Sequence, residues 1–397
     1  MNKGENIFVF VVCGEKKHIE TLHFALRYIS HFSSSGILVV TDSLRNEIPV
    51  AHSRIVDVNT PSELNHHQAS IWLKTSLHRI LPQGPMYCYL DSDVIAVNDK
   101  CDEIFSHFNS PVTFAADHCR LKSFSPYAVN CGCLEQHLLE KESLENAIKN
   151  VVNLKHYPPD YRHIPTRNLF SALADIRSYP LKNIWPLVKL TFAFASGKAQ
   201  VKNNLILDVK NKTWSHDGFL YPFLYAYRKE IKKRAGYRFS LLKKSWLKPD
   251  GHSVAALNCH HLADAIEKLT GIRPEDNWQH WNGGVFLFNH SSFDFMEKWH
   301  NHTNRIFKDT YWKTRDQGTL AATVWEMGLA RQAMLPEAFN MIADFYKPEI
   351  KVMVNISCLT LSKGSQMIEP SFVHIYHEFG NEEWDLWRSV VKINPEG

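Results

Sequence analysis

The chain has 397 residues, of which 44% are hydrophobic and 22% charged, with a formal net charge of +4. This balance is that of a globular protein with one large domain or two ordinary ones, and so small a charge gives no argument for a nucleic-acid partner. No apolar stretch is long enough to cross a bilayer, and the N-terminus lacks a signal peptide's composition. We therefore expect a cytoplasmic protein whose 8 cysteines are thiols rather than disulfides.

The chain opens with alternating strand and helix patterns. Residues 7–14 and 37–42 are apolar runs typical of buried strands, and residues 18–32 between them have helical spacing. Two buried strands joined by a helix predict a parallel sheet with both faces covered. No G-x-G-x-x-G follows the first strand, so a Rossmann dinucleotide site is disfavoured. A short strand over residues 53–58 and a helix over residues 64–81 are predicted next.

The following strand ends in two acidic residues. Residues 86–90 are apolar and rich in aromatics, and Asp91 and Asp93 come directly after them. Two carboxylates at the end of a buried strand are unfavourable unless a cation lies between them. Because ligands of open α/β sheets bind at the carboxyl ends of strands, the pair predicts a divalent-metal site with open positions for phosphate oxygens. The alternative is a plain turn, with Asp91 as its cap and Asp93 solvated.

Residues 111–116 predict a further strand, which ends in Asp117. From residue 131 to residue 277 the regular pattern loosens, and we interpret this stretch as an insert. It contains a basic run over residues 227–248 in which Lys and Arg alternate with aromatic side chains. Such a run usually forms a solvated helical face, but it also fits an anionic acceptor or peripheral contact with a membrane.

Regular patterning returns at residue 281. The paired glycines Gly283 and Gly284 form a predicted loop that leads into a buried strand, and glycine pairs permit close approach of the backbone to a ligand. Residues 315–318 open another helix, so Asp316 and Gln317 project from its N-terminus, where an acid also complements the helix dipole.

The last predicted strand, over residues 371–377, carries His374 and His377 near its end.

Cysteine and histidine side chains elsewhere in the chain allow a second hypothesis, a zinc site. The spacing of Cys131 and Cys133 is tighter than in a zinc ribbon, which disfavours that pattern. The candidate zinc ligands are Cys119, Cys131, Cys133, Cys259, His118, His260 and His261.

In their order along the chain, these segments resemble a GT-A glycosyltransferase of family 8, the glycogenin-type enzymes. The matching segments are distributed over about two thirds of the chain and omit the insert. They are residues 8–14, 73–74, 89–94, 114–117, 282–289, 316–318 and 373–374.

The resemblance implies an α/β GT-A (Rossmann-like) fold, with a mostly parallel sheet, helices on both faces and a largely helical insert. Residues 1–130 would form the nucleotide-sugar-binding half. Residues 131–277 would form an acceptor or partner region. Residues 278–397 would form the acceptor half and the C-terminal metal-ligand strand.

The implied activity is transfer of a hexose from a nucleotide sugar, usually UDP-linked, to a glycan, lipid or protein acceptor. The implied cofactor is Mn²⁺ or Mg²⁺, and mixed carboxylate and imidazole ligation suits Mn²⁺ better. Its ligands would be Asp91, Asp93 and His374. Asp316 and Gln317 would flank the anomeric carbon, and the Gln317 amide oxygen suits a retaining outcome. The donor would contact Cys13, Gly14, Lys74, Asp117, Asn282, Gly283 and Gly284.

Several of these residues also have ordinary structural explanations: Lys74 could extend its ammonium group to solvent, and Asp117 could cap a turn. One departure from the family concerns the diphosphate. The family usually follows its C-terminal His with Gly and a phosphate-binding Lys, whereas no Lys stands at that spacing after His374. Either the phosphates are neutralised from elsewhere, or His377 replaces His374. The alternative function is a non-catalytic relative that binds a sugar nucleotide or glycan, and a nucleotidyltransferase is a weaker third.

Overall fold

The computed structural model describes residues 5–158, 164–243, 245–255, 257–313, 316–345, 350–355, 358–363 and 366–393. The strands are β1 (Asn6–Val12), β2 (Gly36–Thr41), β3 (Ile55–Asp57), β4 (Met86–Leu90), β5 (Val94–Ala96), β6 (Thr113–Arg120), β7 (Lys198–Lys202), β8 (Leu205–Asp208), β9 (Thr213–His216), β10 (Phe219–Pro222), β11 (Arg238–Ser240), β12 (Ser245–Leu247), β13 (Gln279–Phe288), β14 (Met341–Ala343), β15 (Ile350–Asn355), β16 (Cys358–Lys363), β17 (Gln366–Ile368) and β18 (Phe372–Ile375). The helices are α1 (Lys16–Phe32), α2 (His66–Thr75), α3 (Leu77–Ile80), α4 (Leu121–Ala128), α5 (Cys133–Lys149), α6 (Ile164–Ser178), α7 (Ile184–Ser196), α8 (Arg228–Ala235), α9 (His261–Thr270), α10 (Phe293–Ile306), α11 (Asp316–Glu326) and α12 (Asp385–Lys392).

The central sheet has six strands in the order β3-β2-β1-β4-β13-β6. The pairs from β3 to β4 are parallel, while β13 runs antiparallel to both of its neighbours. The prediction of a mostly parallel α/β sheet is therefore confirmed.

Helices cover both faces of this sheet, as predicted. Alternate residues of β1 point to opposite sides, so Val9 and Val11 pack in one core with residues of α2, α10 and α11. Phe8 and Phe10 pack in the other core against α1. Continuous burial of β1 on both faces explains why its sequence is an apolar run rather than an alternating one.

The glycine pair lies inside a strand rather than in the predicted loop. β13 begins at Gln279, and its pairing with β6 shifts between Asn282, opposite Ala115, and Phe286, opposite Phe114. The shift leaves Gly283 and Gly284 in an irregular stretch of the ladder, as glycines in strand interiors often are. In the same way, β6 continues to Arg120, so Asp117 lies within that strand and not at its end.

A second sheet brings the C-terminal histidine to the acidic pair. Its order is β14-β18-β5, and β18 runs antiparallel to β5 with His374 opposite Val94. Because β5 begins just after Asp93, this register places His374 beside that carboxylate. The Ile375 N–H donates to the Asp93 carbonyl at 3.0 Å.

The insert is helical, as predicted, but it also contains strands that the sequence analysis did not predict. A four-stranded antiparallel sheet, β10-β9-β8-β7, packs with α6 and α7 around a separate apolar cluster. A hairpin, β11-β12, follows α8, and α5 packs against α8 around Ile231. The predicted helix over residues 64–81 is split at Ser76 into α2 and α3.

The basic run exposes most of its described charges, buries the ring of Tyr237 and leaves its other aromatic rings partly buried. Tyr237 is buried in the cluster that joins α5 and α8, with Trp246 packed against it. Leu241 and Leu242, at the turn of the β11-β12 hairpin, are 65% and 97% exposed. Lys244 of this run and Arg315 of the predicted α11 start lie outside the described residues. Within the described part of the chain, every helix is too short or too polar to span a bilayer.

Candidate active site

Asp91, Asp93 and His374 converge at the carboxyl end of β4. One ligand atom from each lies within 4.8 Å of the others, and His374 Nε2 is 3.3 Å from Asp93 Oδ1. His374 is buried, whereas the two carboxylates are partly accessible. The structure therefore brings together the three residues that the sequence analysis assigned to a metal, with their donor atoms turned toward one another. His377 is exposed and lies outside this group.

A chain of amide groups holds the imidazole in place. His374 Nδ1 is 3.0 Å from Asn340 Oδ1, and the Asn340 amide in turn donates to Asn282 Oδ1 at 3.1 Å. Because the Asn340 amide oxygen can only accept, Nδ1 donates to it, and Nε2 is the ring nitrogen that faces the carboxylates. Such outer partners fix the tautomer and orientation of metal-binding histidines.

The same chain extends to Asp117. The Asn282 amide donates to Asp117 Oδ2 at 3.1 Å, and the Cys119 N–H and Sγ both contact Asp117 Oδ1 at 3.1 Å. Burial opposes ionisation of Asp117, but the neighbouring imidazoles of His280 and His118 and these hydrogen bonds hold its pKa below the usual value. Asp117 is thus an ionised carboxylate joined through Asn282 and Asn340 to the candidate metal ligand.

Lys74 lies between two acids on the other side of Asp91. Its Nζ is 2.7 Å from Asp316 Oδ2 and 3.3 Å from Asp91 Oδ1, and its side chain is only 9% exposed. Lys74 does not extend to solvent, so that interpretation is wrong. The Tyr89 hydroxyl donates to the same Asp91 oxygen at 2.5 Å.

The site is short of positive charge. Burial raises the pKa of Asp91 above its usual range, and the nearby Asp93 adds to this effect in spite of Lys74. Burial alone would lower the pKa of Lys74, but Asp316 and Asp91 raise it. Burial likewise opposes protonation of His374, yet Asp93 and Asp91 raise its pKa. These directions describe a carboxylate cluster that stabilises a cation.

The paired glycines make room for these side chains. A Cβ at Gly284 would lie 2.5 Å from His374 Cε1 and 2.9 Å from both Asp91 Oδ2 and Asn282 Oδ1. A Cβ at Gly283 would lie 3.2 Å from Asp316 Oδ2 and 3.4 Å from Lys74 Nζ. Gly284 therefore borders the candidate metal site, and Gly283 borders the Lys74–Asp316 pair.

Gln317 and the two residues that follow β1 complete the predicted set. Turned so that its nitrogen faces them, the Gln317 amide donates to Asp117 Oδ2 and to the Trp281 carbonyl at 3.3 Å each. Gly14 has a positive φ of 102°, and its N–H donates to Asn46 Oδ1 at 3.0 Å. Cys13 is buried, and burial raises its pKa to about 11, so it is a neutral thiol. Gly14 and Cys13 follow β1, the parallel neighbour of the strand that precedes Asp91.

Sequence reasoning missed Tyr89 and Asn340. The period of two in β4 places Tyr89 on the same side of the strand as Asp91, so this signal could have found it. Asn340 precedes the three-residue strand β14 and carries no recognisable motif. It is buried and contacts His374 only because β14 and β18 are paired.

The candidate zinc ligands separate into two groups. Cys131, Cys133, Cys259 and His261 meet in one cluster, whereas His118 and Cys119 lie with Asp117 in another. His260 is not a member of either cluster, although its ring stacks on that of His261 at 4.9 Å.

Comparison with known proteins gives distant structural neighbours only. No family model matches the chain, and no curated protein matches its sequence. The bifunctional glycosyltransferase WbbM is 11% identical, covering 86% of this chain and 40% of its own, with a TM-score of 0.36. The galactosyltransferase LgtC is 9% identical, covering 85% and 75%, with a TM-score of 0.35. Mouse xyloside xylosyltransferase 1 is 9% identical, covering 85% and 88%, with a TM-score of 0.33.

These neighbours are all glycosyltransferases, but likeness at this level assigns neither an activity nor membership of family 8. The chain also spans less than half the length of WbbM.

Proposed function

We propose that this chain is a metal-dependent glycosyltransferase that transfers a hexose from a UDP-linked sugar to an acceptor, with retention at the anomeric carbon. The observation that carries the proposal is the convergence of Asp91, Asp93 and His374 beside the Lys74–Asp316 pair. The cation site would bind a charged leaving group such as a diphosphate. The adjacent carboxylate of Asp316, which is paired with Lys74, would lie beside the carbon that reacts.

The residues present fit a divalent cation. Two carboxylates and an imidazole form a mixed oxygen and nitrogen donor set, which suits Mn²⁺. Burial raises the pKa of Asp91, and a bound cation would lower it again. Because Gly284 has no Cβ, no side chain of its own fills the space beside His374 and Asp91. When bound, the cation would hold the diphosphate and stabilise the negative charge that develops on it.

The protein side chains would act on the sugar. Lys74 keeps Asp316 ionised, because it holds the pKa of that buried carboxylate below the usual value even though burial opposes ionisation. A fixed negative charge beside the reacting carbon would stabilise the positive charge that the carbon acquires. With the Gln317 nitrogen held by Asp117 and Trp281, its oxygen is the end of the amide that would face that carbon. We assign Asp117, Asn282 and Gly283 to the wall that binds the donor sugar.

The second candidate is a protein that binds sugar nucleotide without turnover. The observation that favours it is the sequence after His374, where no Lys is available for the diphosphate and the exposed His377 and Glu378 follow instead. Both candidate proteins would bind the sugar nucleotide through the metal site, but only the glycosyltransferase would transfer the sugar.

A turnover assay separates the two candidates. UDP release from a panel of UDP-hexoses is measured with Mn²⁺, with Mg²⁺ and with EDTA, in the absence of acceptor. We expect slow UDP release with one sugar, dependent on Mn²⁺ and lost in Asp316→Asn. Tight Mn²⁺-dependent binding of UDP-sugars with no release from any of them would favour the non-catalytic protein.

A further inference from the structure

We propose that Cys131, Cys133, Cys259 and His261 bind one Zn²⁺ ion in a closed, structural site. Their ligand atoms all lie within 4.8 Å of one another, on segments 128 residues apart in the chain. Three thiolates and one imidazole with no open position is a ligand set typical of structural zinc. The site has no carboxylate and no role in the proposed transfer reaction.

The distances match a tetrahedron. Cys131 Sγ is 3.9 Å from Cys259 Sγ, and Cys133 Sγ is 3.6 Å from His261 Nδ1. With ordinary zinc–sulfur and zinc–nitrogen bond lengths, a tetrahedral site has sulfur–sulfur edges of about 3.8 Å and sulfur–nitrogen edges of about 3.6 Å. These two edges fit a tetrahedral site, and the remaining ligand atoms lie within 4.8 Å of one another.

Local backbone structure explains how so short a motif can chelate. Gly132 has a positive φ of 74°, a conformation that a Cβ disfavours, and it turns the chain between the two cysteines. The C-x-C spacing that argued against a zinc ribbon is thus compatible with a site whose other two ligands come from a distant segment.

The electrostatic setting also suits a thiolate-bound ion. Zn²⁺ with three thiolates and a neutral imidazole carries one net negative charge. Cys133 is the first residue of α5 and His261 is the first residue of α9, so two helix N-termini meet at the cluster. The positive ends of helix dipoles stabilise the negative charge that such a complex carries.

The ion would fasten both ends of the insert to the body of the fold. Cys131 and Cys133 lie where the insert begins, and Cys259 and His261 lie near its end. Ser125 of α4 lies at the same point: its Oγ is 2.9 Å from Cys259 Sγ and accepts a hydrogen bond from the Leu262 N–H at 2.9 Å.

The proposed zinc site also adjoins the segment that leads to α11. The Asn130 N–H donates to the Tyr311 carbonyl at 2.7 Å, and the Lys313 N–H donates to the Ala128 carbonyl at 2.9 Å. Asp316 begins α11 shortly after Lys313. We therefore expect loss of the ion to make both the insert and the segment that leads to Asp316 more mobile.

Metal content and cobalt spectroscopy test the proposal on the purified full chain. We expect one zinc per chain, and after replacement by Co²⁺ we expect a thiolate-to-cobalt charge-transfer band with tetrahedral ligand-field bands. Both should persist in the Asp91→Asn/Asp93→Asn variant, because the candidate active site contains no thiolate. A failure of the proposed transferase would leave this result unchanged.

Matched variants identify the ligands. Cys133→Ser and His261→Gln should lose the zinc and the cobalt band, whereas Cys119→Ser and His260→Gln, which change the same residue types outside the cluster, should keep both. If the ligand variants do not fold, chelation of the wild-type chain answers the question: EDTA should lower Tm, and Zn²⁺ but not Mg²⁺ should restore it. A chain with no zinc and no cobalt band, or one with a Cys131–Cys259 disulfide as purified, would overturn the proposal.

Discussion

Gly284 shows how one missing side chain can define a site. Its backbone passes between Asp91, Asn282 and His374, and any Cβ would overlap atoms of all three. The sequence analysis expected the paired glycines to admit a ligand. In the structure the glycines make room for the protein's own functional side chains, which sequence spacing cannot reveal because most of those side chains come from other helices and strands.

A prediction for Gly284 follows from this crowding. Gly284→Ala should weaken Mn²⁺ binding at least tenfold, because His374 and Asp91 must both move to accommodate the methyl group. Gly283→Ala is the matched control, since its Cβ would meet the movable ends of Lys74 and Asp316 at 3.2–3.4 Å. Mn²⁺ titration followed by electron paramagnetic resonance measures both affinities. Equal effects of the two substitutions would contradict the assigned positions.

Lys74 is the second residue whose role depends on burial. Lys74→Met would leave the partly buried Asp91 and Asp316 without their shared cation, and removing one partner of a buried pair costs about 3–5 kcal/mol. We expect the free energy of unfolding in urea to fall by this order and UDP release to be lost. Lys100→Met, at an exposed ion pair with Glu369, is the control and should change stability little. A stable, active Lys74→Met protein would show that the buried pair is not needed.

At the scale of elements, sequence patterns located the strands of the central sheet but not all of their partners. The apolar runs of β1, β2 and β4 predict a parallel sheet because both faces are buried. The antiparallel direction of β13 and its register shift beside Asn282 are set by pairing with distant strands, for which the sequence has no local signal. His374 was predicted as a ligand from a resemblance, and only the β18–β5 register shows why it reaches Asp93.

The β11-β12 hairpin carries a prediction about membranes. Its turn exposes Leu241 and Leu242 beside exposed basic residues, a combination that favours anionic lipid surfaces. We expect the wild-type chain to sediment with vesicles that contain anionic lipid and not with neutral vesicles. Leu241→Ser/Leu242→Ser should reduce this binding several-fold. Sedimentation that is unchanged in the variant would leave the hairpin without a role in lipid contact.

At the scale of the whole molecule, stability should depend on pH through His280. Burial lowers its pKa to about 4, and neither ring nitrogen has a hydrogen-bond partner within the described residues. Between pH 4 and about 6.5 the unfolded chain therefore binds a proton that the folded chain does not. The contribution of neutral His280 to the free energy of unfolding is therefore complete above pH 6.5 and is lost as the pH falls toward 4.

The measurement is urea unfolding at pH 7 and pH 5. When the pH falls from 7 to 5, the free energy of unfolding of the wild type should decrease by about 2 kcal/mol more than that of His280→Phe. His18→Gln, an exposed histidine variant, should follow the wild type. An identical pH dependence in wild type and His280→Phe would show that folding leaves the pKa of His280 unchanged.

The central claim is that Asp91, Asp93 and His374 hold the divalent cation through which a nucleoside diphosphate binds. Isothermal titration of UDP into the wild-type chain and into Asp93→Asn, each with and without Mn²⁺, tests it most directly. The account predicts UDP binding that depends on Mn²⁺ in the wild type and falls at least tenfold in Asp93→Asn. Binding of equal affinity in the two proteins, or binding that does not respond to Mn²⁺, would contradict it.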